Sequence, residues 1–340
     1  MKYILNESPV RTSNNFRIND IKLDLELPTK SNFKEFKVTN LDSNKTIIQY
    51  KYGLNVKSNL GIILPDACDA TINISESLDK PLILEYDSND VMLSIKIGTK
   101  DNVNADVIIK TKGNKYNMLV INSYTGKNSK LTINYINMNE GNSLVSFNKT
   151  SSSNSYTTYN LFDLCGELRI YNYENHDNEP NIKESINNMY ITKNEDILDM
   201  NYHIKHKGID SYSSINVLGC TKDKSKKSFK GTIDFVEGSK KSIGRVYENV
   251  ISLSDDAISS SLPMILCHEE DVIGSHGVSN GKINEEELFY LETRGFSKEE
   301  ATRYLLYAKF DKYIELINDD NTKEEIKDYI NKKGSIWSFF

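Results

Sequence analysis

The chain has 340 residues, with 48 acidic and 42 basic side chains that give a formal net charge of −6. This acidic balance argues against non-specific nucleic-acid binding, which requires clustered positive charge. A hydrophobic content of 38% and a charged content of 26% are typical of a globular protein. The length exceeds the roughly 150 residues of one ordinary domain, so we expect two domains or one repetitive body with an appendage.

The start of the chain and the cysteine content indicate a location. Residues 1–7 contain no apolar run of the length that a secretory signal needs, and no stretch approaches the ~18 apolar residues of a membrane span. The cysteines are far apart and do not predict a disulfide framework. They are Cys68, Cys165, Cys220 and Cys267. We therefore expect a cytoplasmic protein that is not associated with membranes.

Short strands dominate from about residue 70 to 276. Apolar residues alternate there with Thr, Ser, Asn or Lys, which is the period of a strand with one buried face, and turn residues fill the gaps. Segments of this kind are 71–74, 82–86, 91–97, 107–110, 131–136 and 168–171. A sandwich, a barrel and a stacked β-solenoid all fit this pattern, and periodicity does not choose between them. The length of the run favours the solenoid.

The pattern changes to helical after residue 282. Three residue pairs have the spacing of an N-terminal capping box, in which each side chain bonds the other's backbone amide. They are Asn284 with Glu287, Ser297 with Glu300, and Thr322 with Glu325. Gly295 is placed to end the first helix in a left-handed conformation.

Apolar spacing also predicts which faces of the later helices are buried. In the second helix the predicted face consists of Ala301, Tyr304, Leu305 and Ala308. In the third it consists of Ile326, Tyr329 and Ile330. The final residues, 336–340, carry the single tryptophan, and this tail either packs against its own helices or docks a partner.

Possible nucleotide and metal motifs are incomplete. Segment 277–282 is one residue short of a phosphate loop, and Ile283 replaces the hydroxyl that would hold magnesium, so we expect no ATP binding. Cys267 and His268 are adjacent and would point to opposite faces of a strand. By the same parity, His203 is predicted to face solvent and His206 the edge of the core.

Other polar features have simple structural interpretations. A basic run is interpreted as a solvated loop. It consists of Lys222, Lys224, Lys226, Lys227 and Lys230. No carboxylate pair stands out among the acidic residues, and Cys220 has no obvious histidine partner in the sequence. We therefore expect no enzyme activity.

One group of segments resembles a known family. The segments are 250–257, Pro263, 271–277 (Asp-Val-Ile-Gly-Ser-His-Gly) and 288–297 (Leu-Phe-Tyr-Leu-Glu-Thr-Arg-Gly-Phe-Ser), followed by Glu299, Glu300 and Ala301. Segments 206–208, 229–231 and 9–12 with 17–19 add to it. Together they resemble the SufB/SufD family of the SUF iron–sulfur cluster assembly complex, strongly over about 200–300 and in patches over 45–200.

The resemblance implies a fold and partners. The fold is a mainly β, right-handed parallel β-helix (46–282) with a small α-helical C-terminal domain (283–340), preceded by an N-terminal segment (1–45). The helices would dock the SufC ATPase, with Phe289, Tyr290, Leu291 and Arg294 near the contact. A SufB-like subunit would pair along the C-terminal half of the β-helix, and a homodimer is possible in isolation. The family's helical region before the 9–12 segment has no counterpart in these residues.

The resemblance is closer to SufD than to SufB, because Ser275-His276-Gly277 stands where SufB-like chains carry a Glu-His-Glu-Ala type run. SufD-like chains often have Cys-Ser-His-Gly, and Gly274 takes the cysteine position here. His276 is then the candidate iron or cluster ligand, since imidazole can bind iron. The expected function is a non-catalytic scaffold with no stably bound cofactor of its own and a transient iron–sulfur cluster in the complex.

Two alternatives stay open. The chain could be a SufB-like or homodimeric scaffold that carries the nascent cluster itself, using Cys220 or Cys267. It could also be a β-helix enzyme acting on acidic polysaccharides. The missing signal segment and the helical C-terminal region count against the enzyme.

Overall fold

The computed structural model of the chain describes residues 1–11 and 18–332. The first strands are β1 (Lys2–Leu5), β2 (Ile21–Asp24), β3 (Lys37–Thr39) and β4 (Thr46–Lys57). The next are β5 (Ile63–Ile74), β6 (Leu82–Asp87), β7 (Val91–Thr99), β8 (Asn104–Gly113), β9 (Asn117–Thr125), β10 (Lys130–Asn139), β11 (Asn142–Ser151) and β12 (Tyr156–Asp163). Then come β13 (Leu168–Asn175), β14 (Lys183–Thr192), β15 (Ile197–His206), β16 (Tyr212–Thr221), β17 (Lys226–Phe235), β18 (Ser242–Ser252), β19 (Ile258–Cys267) and β20 (Val272–Gly281). The helices are α1 (Glu285–Thr293), α2 (Lys298–Ile314) and α3 (Asp320–Lys332).

The strands from β5 onward form a two-sheet β-solenoid. Odd-numbered strands β5 to β19 pair in parallel in one sheet, and even-numbered strands β6 to β20 pair in parallel in the other. Successive strands alternate between the sheets, so two strands make one coil, and about eight coils stack. β4 and β3 each add one antiparallel strand at the N-terminal end. The parallel β-helix implied by the resemblance is confirmed, and the sandwich and the barrel are excluded.

One corner of the coil repeats a single backbone conformation. A residue with positive φ recurs there every 26 to 31 residues along the chain: Asn102, Asn128, Asn154, Asn181, Asp210 and Lys241. Asn and Asp tolerate this left-handed region better than other non-glycine residues. The corner residues therefore let each coil turn tightly while the strands stay in register.

Aromatic rings fill the middle of the solenoid interior. Tyr135 and Phe147 pack edge to face at 5.8 Å, as do Tyr159 and Tyr173 at 5.3 Å. The tyrosine hydroxyls have hydrogen-bond partners; for example, the Tyr159 hydroxyl donates to Ser123 Oγ at 2.6 Å. This satisfies the rule that a buried phenol needs a hydrogen bond, and it explains why a tyrosine-rich sequence suits this fold.

Both outer faces of the solenoid are partly covered by the ends of the chain. On the even-numbered sheet, α2 and α3 share a hydrophobic core with side chains such as Ile108, Phe162 and Met189. On the odd-numbered sheet, Leu5 and Leu25 pack against outward side chains of the early coils. Lys110 links α3 to the even-numbered sheet, because its Nζ lies 2.7 Å from Glu85 Oε1 on β6 and 2.9 Å from Glu325 Oε2 on α3.

The helix caps agree with the sequence in two of three cases. Asn284 caps α1 by accepting from the Glu286 amide at 2.8 Å, and Ser297 with Glu300 forms a full capping box at α2. Gly295 follows α1 with φ of 96°, as predicted. The third box is wrong. α3 begins before Thr322, and Asp319 caps it by accepting from the Thr322 amide at 2.8 Å.

The predicted buried face of α2 is also wrong except for Ala301. Tyr304 is 58% exposed, whereas Leu306, Phe310 and Ile314 are fully buried. The larger side chains face the sheet because they bury more apolar surface than the alternative set. In α3, Ile326 and Ile330 are buried as predicted.

Some of the sequence features discussed above lie outside residues 1–11 and 18–332. Thr12, Arg17 and the tail 336–340 lie beyond the described residues. Among the helices of the described part, none is both long and apolar enough to cross a membrane.

Candidate functional site

The solenoid ends in two strands that each have a neighbour on one side only. In the described part of the chain, β19 pairs with β17 alone and β20 pairs with β18 alone. Their outer edges present unpaired N–H and C=O groups over ten residues each. Edges of this kind are natural sites for pairing with another chain. We call this end of the solenoid, formed by β19 and β20, the open end.

His276 lies on the open end. It is the register partner of Val246, which is fully buried in the core, so the His276 side chain is on the interior side of its sheet. No further coil of the described residues covers it, and the residue is exposed. Across residues 1–11 and 18–332, no cluster of three His, Cys, Asp or Glu side chains could hold a metal ion. An iron or cluster ligand set that uses His276 would therefore have to be completed by another chain.

Gly274 on β20 lies close to two side chains of the solenoid interior. A Cβ built there would lie 2.9 Å from Ile265 Cγ2 and 3.2 Å from Phe235 Cε2. Those two side chains occupy the space that a thiol would need. The ligand role at this end therefore stays a prediction for His276 alone.

The cysteines differ sharply in access. Cys220 is fully buried beneath α2 and α3, and burial raises the pKa of its thiol to about 12. Of the two thiols considered for a self-sufficient scaffold, Cys220 is therefore not accessible to a metal. Cys267 is exposed on β19, and its Sγ lies 3.1 Å from the Glu269 carbonyl.

Cys267 and His276 are both on the open end but are not neighbours. Ile265 of β19 faces Gly274 of β20 across the coil. Cys267 lies two residues beyond Ile265, closer to the turn that joins the two strands, whereas His276 lies two residues beyond Gly274, farther from that turn. At ~3.3 Å per residue this separates them by roughly 13 Å along the strands. One ion cannot be bound by both side chains in this arrangement.

A second exposed feature lies on the helices. α1 has no buried residue, and Phe289 and Tyr290 are 67% and 57% exposed. Arg294 stacks over the Tyr290 ring at 5.3 Å. Leu291 is half-buried, unlike the exposed Phe289 and Tyr290.

The sequence missed two members of this surface. Phe296 and Tyr304 are exposed, with ring centres 6.1 Å apart. Tyr304 had been assigned to the buried face of α2. We call Phe289, Tyr290, Phe296 and Tyr304 the aromatic surface. Phe289 and Tyr290 are neighbours on α1 and Phe296 packs on Tyr304, and exposed aromatic groups of this kind are typical of protein–protein contacts.

Most of the basic run is not a solvated loop, since only Lys224 and Lys226 of its five lysines are exposed. Lys227 and Lys230 are buried in strand β17, where they pair with Glu248 and Asp199 at 2.6 and 2.8 Å. Lys222 is buried as well. Local sequence patterns do not reveal these ion pairs, because the acidic partners lie 21 and 31 residues away on other strands.

The two strand histidines also differ from the expectation in part. His206 is buried, as predicted, and lies 2.6 Å from Ser213 Oγ. His203 is not solvated: it is largely covered and lies 3.6 Å from Asp234 Oδ2. Burial, followed by the charge of Lys205, lowers the pKa of His203 to about 4. The His203 ring is therefore neutral at ordinary pH.

The chain is similar to proteins of one assembly system. Residues 85–309 match the family model described as "SUF system FeS cluster assembly, SufBD core domain". The iron–sulfur cluster assembly protein SufD of Escherichia coli is 25% identical over 166 residues, which cover 48% of this chain and 39% of that protein.

Two further relatives agree. SufD of Bacillus subtilis is 27% identical over 143 residues, which cover 42% of this chain and 33% of that protein. An iron–sulfur cluster assembly SufBD family protein of Pyrococcus horikoshii is 38% identical over 71 residues, 21% of this chain and 16% of that protein. The alignments thus span well under half the length of these curated relatives.

Proposed function

This chain belongs to the SufBD family of the SUF iron–sulfur cluster assembly system, and on that premise we propose that it is a non-catalytic, SufD-like scaffold subunit. It works in the cytoplasm as part of a complex with a SufB-like subunit and a SufC ATPase. The iron–sulfur cluster is the cargo of that complex and is not held stably by this chain alone.

The open end carries this proposal. The free edges of β19 and β20, each ten residues long, lie side by side at the end of the solenoid. A free edge of that length favours pairing with a second β-sheet protein. His276 sits on the interior side of the same end, where a facing subunit would meet it. In the proposed complex His276 offers one imidazole to the cargo, and the SufB-like partner supplies the other ligands.

The aromatic surface supports the second contact. α2 and α3 pack against the even-numbered sheet, whereas the aromatic side chains of α1 are exposed to solvent. Large aromatic groups with a neighbouring arginine are the residues that most often dominate binding energy at protein interfaces. We assign this surface to the SufC ATPase, so that hydrolysis happens on SufC and this chain transmits the resulting movement.

Affinity capture from the cells that make the protein tests the proposal. The full-length wild type should capture both a SufB-like subunit and a SufC ATPase. Phe289→Ala/Tyr290→Ala should weaken SufC capture at least about 30-fold, because truncating even one hot-spot side chain costs about 2 kcal/mol or more. Capture of the SufB-like subunit should stay unchanged.

Tyr124→Ala is the matched control. Tyr124 is an exposed aromatic on β9, far along the solenoid from α1 and from the open end. It should leave both captures at wild-type levels. A wild type that captures neither protein contradicts the proposed function.

A homodimeric scaffold that carries the cluster itself is the second candidate, favoured by the accessible thiol of Cys267 on the open end. Anaerobic reconstitution of the isolated chain with iron and sulfide separates the two. A cluster chromophore that is lost in Cys267→Ser would favour the homodimer. A colourless chain would favour the SufD-like role.

A further inference from the structure

Two charged side chains lie inside the solenoid directly beneath the open end. Lys227 of β17 and Glu248 of β18 belong to the same coil but to opposite sheets. The Lys227 Nζ is 2.6 Å from Glu248 Oε1, and neither side chain is exposed to solvent. The ion pair therefore joins the two sheets across the interior, one coil below the end.

Lys227 also reaches up to the last coil. Its ammonium group donates to the Ser260 carbonyl oxygen at 3.1 Å and to Ser261 Oγ at 3.0 Å. With Glu248, these acceptors use all three ammonium hydrogens. Because each bond has a preferred direction, Lys227 fixes β19 relative to both β17 and β18.

Glu248 lies on the strand directly below β20. The Tyr190 hydroxyl on β14 donates to Glu248 Oε1 at 3.4 Å, which links the carboxylate to the coil two below its own. Its register partner on β20 is Val278, and two residues away Val246 is the partner of His276. The carboxylate thus lies beneath β20, beside the position of His276.

A buried ion pair is not needed for stability at such a place. Apolar residues of similar volume often replace one at little or no cost in folding free energy, whereas loss of one partner leaves an uncompensated charge. Burial also lowers the pKa of Lys227, which shows that the surroundings do not favour its charge by themselves. Unlike apolar packing, the pair forms hydrogen bonds to β19, and these bonds have a preferred geometry.

We infer that Lys227 and Glu248 are positioning residues for the open end. They hold β19 against β17 and β18, beside β20, so that the two free edges and His276 keep one arrangement for the partner. Neither residue touches the partner or the cargo. This inference rests on the proposed function, because it assigns the open end to the SufB-like subunit.

The test uses a charge-free double variant, Lys227→Met/Glu248→Leu, in the full-length chain. It removes both charges together, so the solenoid should still fold. Hydrogen exchange of the β19 and β20 amides that bond to β17 and β18 should accelerate about tenfold, because the last coil opens more readily. Affinity for the SufB-like subunit should fall about tenfold, since the edges are no longer pre-organised.

Lys230→Met/Asp199→Asn is the matched control. Lys230 lies on the same strand and forms a buried pair with Asp199 at 2.8 Å, but that pair faces β15 and does not bond to β19 or β20. In this control variant, the hydrogen-exchange rates of the open end and the affinity for the SufB-like subunit should match those of the wild type. The inference is overturned if the Lys227/Glu248 double variant behaves like this control.

Failure of the proposed function and failure of the positioning role give different results. If the wild type does not bind a SufB-like subunit, the proposed function fails, while the exchange rates still decide whether the pair positions the last coil. If the double variant does not fold, Ser261→Ala removes only one acceptor of Lys227. It should speed exchange in β19 several-fold, with rescue by Ser261→Thr, and unchanged exchange would overturn the inference.

Discussion

At the scale of single residues, burial decides the chemistry of many side chains in this solenoid. Asp106 on β8 is mostly covered, and desolvation is the main reason why the pKa of its carboxyl is raised from 3.8 to about 6. Its hydrogen bond from Asn134, 2.6 Å long, opposes the shift without cancelling it. The native state therefore binds a proton more readily at Asp106 than the unfolded chain does.

The sign of the resulting pH effect follows from that difference. Between about pH 4 and 6 the native state holds more protons at this group, so stability falls as pH rises through this window. Asp106→Asn should remove the effect and raise the unfolding free energy at pH 7 by about 1–3 kcal/mol. Its amide oxygen can still accept from Asn134.

Denaturant unfolding at pH 4, 5, 6 and 7 checks this. Glu195→Gln is the control, since Glu195 is an exposed carboxylate and a surface change of this kind should stay within about 0.5 kcal/mol. An Asp106→Asn variant with the same pH slope as the wild type would contradict the assignment.

At the scale of elements, the orientation of α2 has a direct test. Phe310 is fully buried against the even-numbered sheet, whereas Tyr304 on the same helix is exposed. Phe310→Ala should lower the unfolding free energy by about 3–5 kcal/mol, because it leaves a cavity under the helix. Tyr304→Ala should change it by less than about 0.5 kcal/mol.

Thermal or urea unfolding of both variants distinguishes the observed face from the one predicted by spacing. Equal losses, or a larger loss in Tyr304→Ala, would show that α2 is rotated from its position here. Tyr304→Ala should instead weaken SufC capture, because Tyr304 belongs to the aromatic surface.

At the scale of the whole molecule, the helices and the solenoid share one core. Met189, Leu218 and Ile251 on the even-numbered sheet are covered by α2 and α3. A chain that ends at Lys282 would expose this row along several coils. We expect such a chain to aggregate or to bind a hydrophobic dye strongly, since uncovered apolar patches of this size are liabilities in monomers.

Size-exclusion chromatography with dye fluorescence measures this outcome. A monomeric, dye-silent chain of residues 1–282 would show that the solenoid does not need the helices. The point variants on α1 are for this reason the better probes of SufC docking, since they leave the shared core intact.

Local patterns were sufficient for the strand periodicity and for the boundary between α1 and α2, but not for the start of α3. The period-two strands, the Ser297 box and the stop at Gly295 depend on residues within a few positions of each other, so the sequence determined them. The resemblance in segments 271–277 and 288–297 then decided between the three β architectures that periodicity had left open.

Contacts between distant residues decided the rest. Lys227 is inside the solenoid because coiling brings Glu248 of the opposite sheet to it, and Asn6 meets Asp199 across 193 positions. The buried face of α2 depends on which sheet it covers, and Cys220 loses its accessibility only when that helix is in place. Sequence spacing describes neighbours along the chain, whereas burial and charge pairing depend on neighbours in space, which only the stacked coils define.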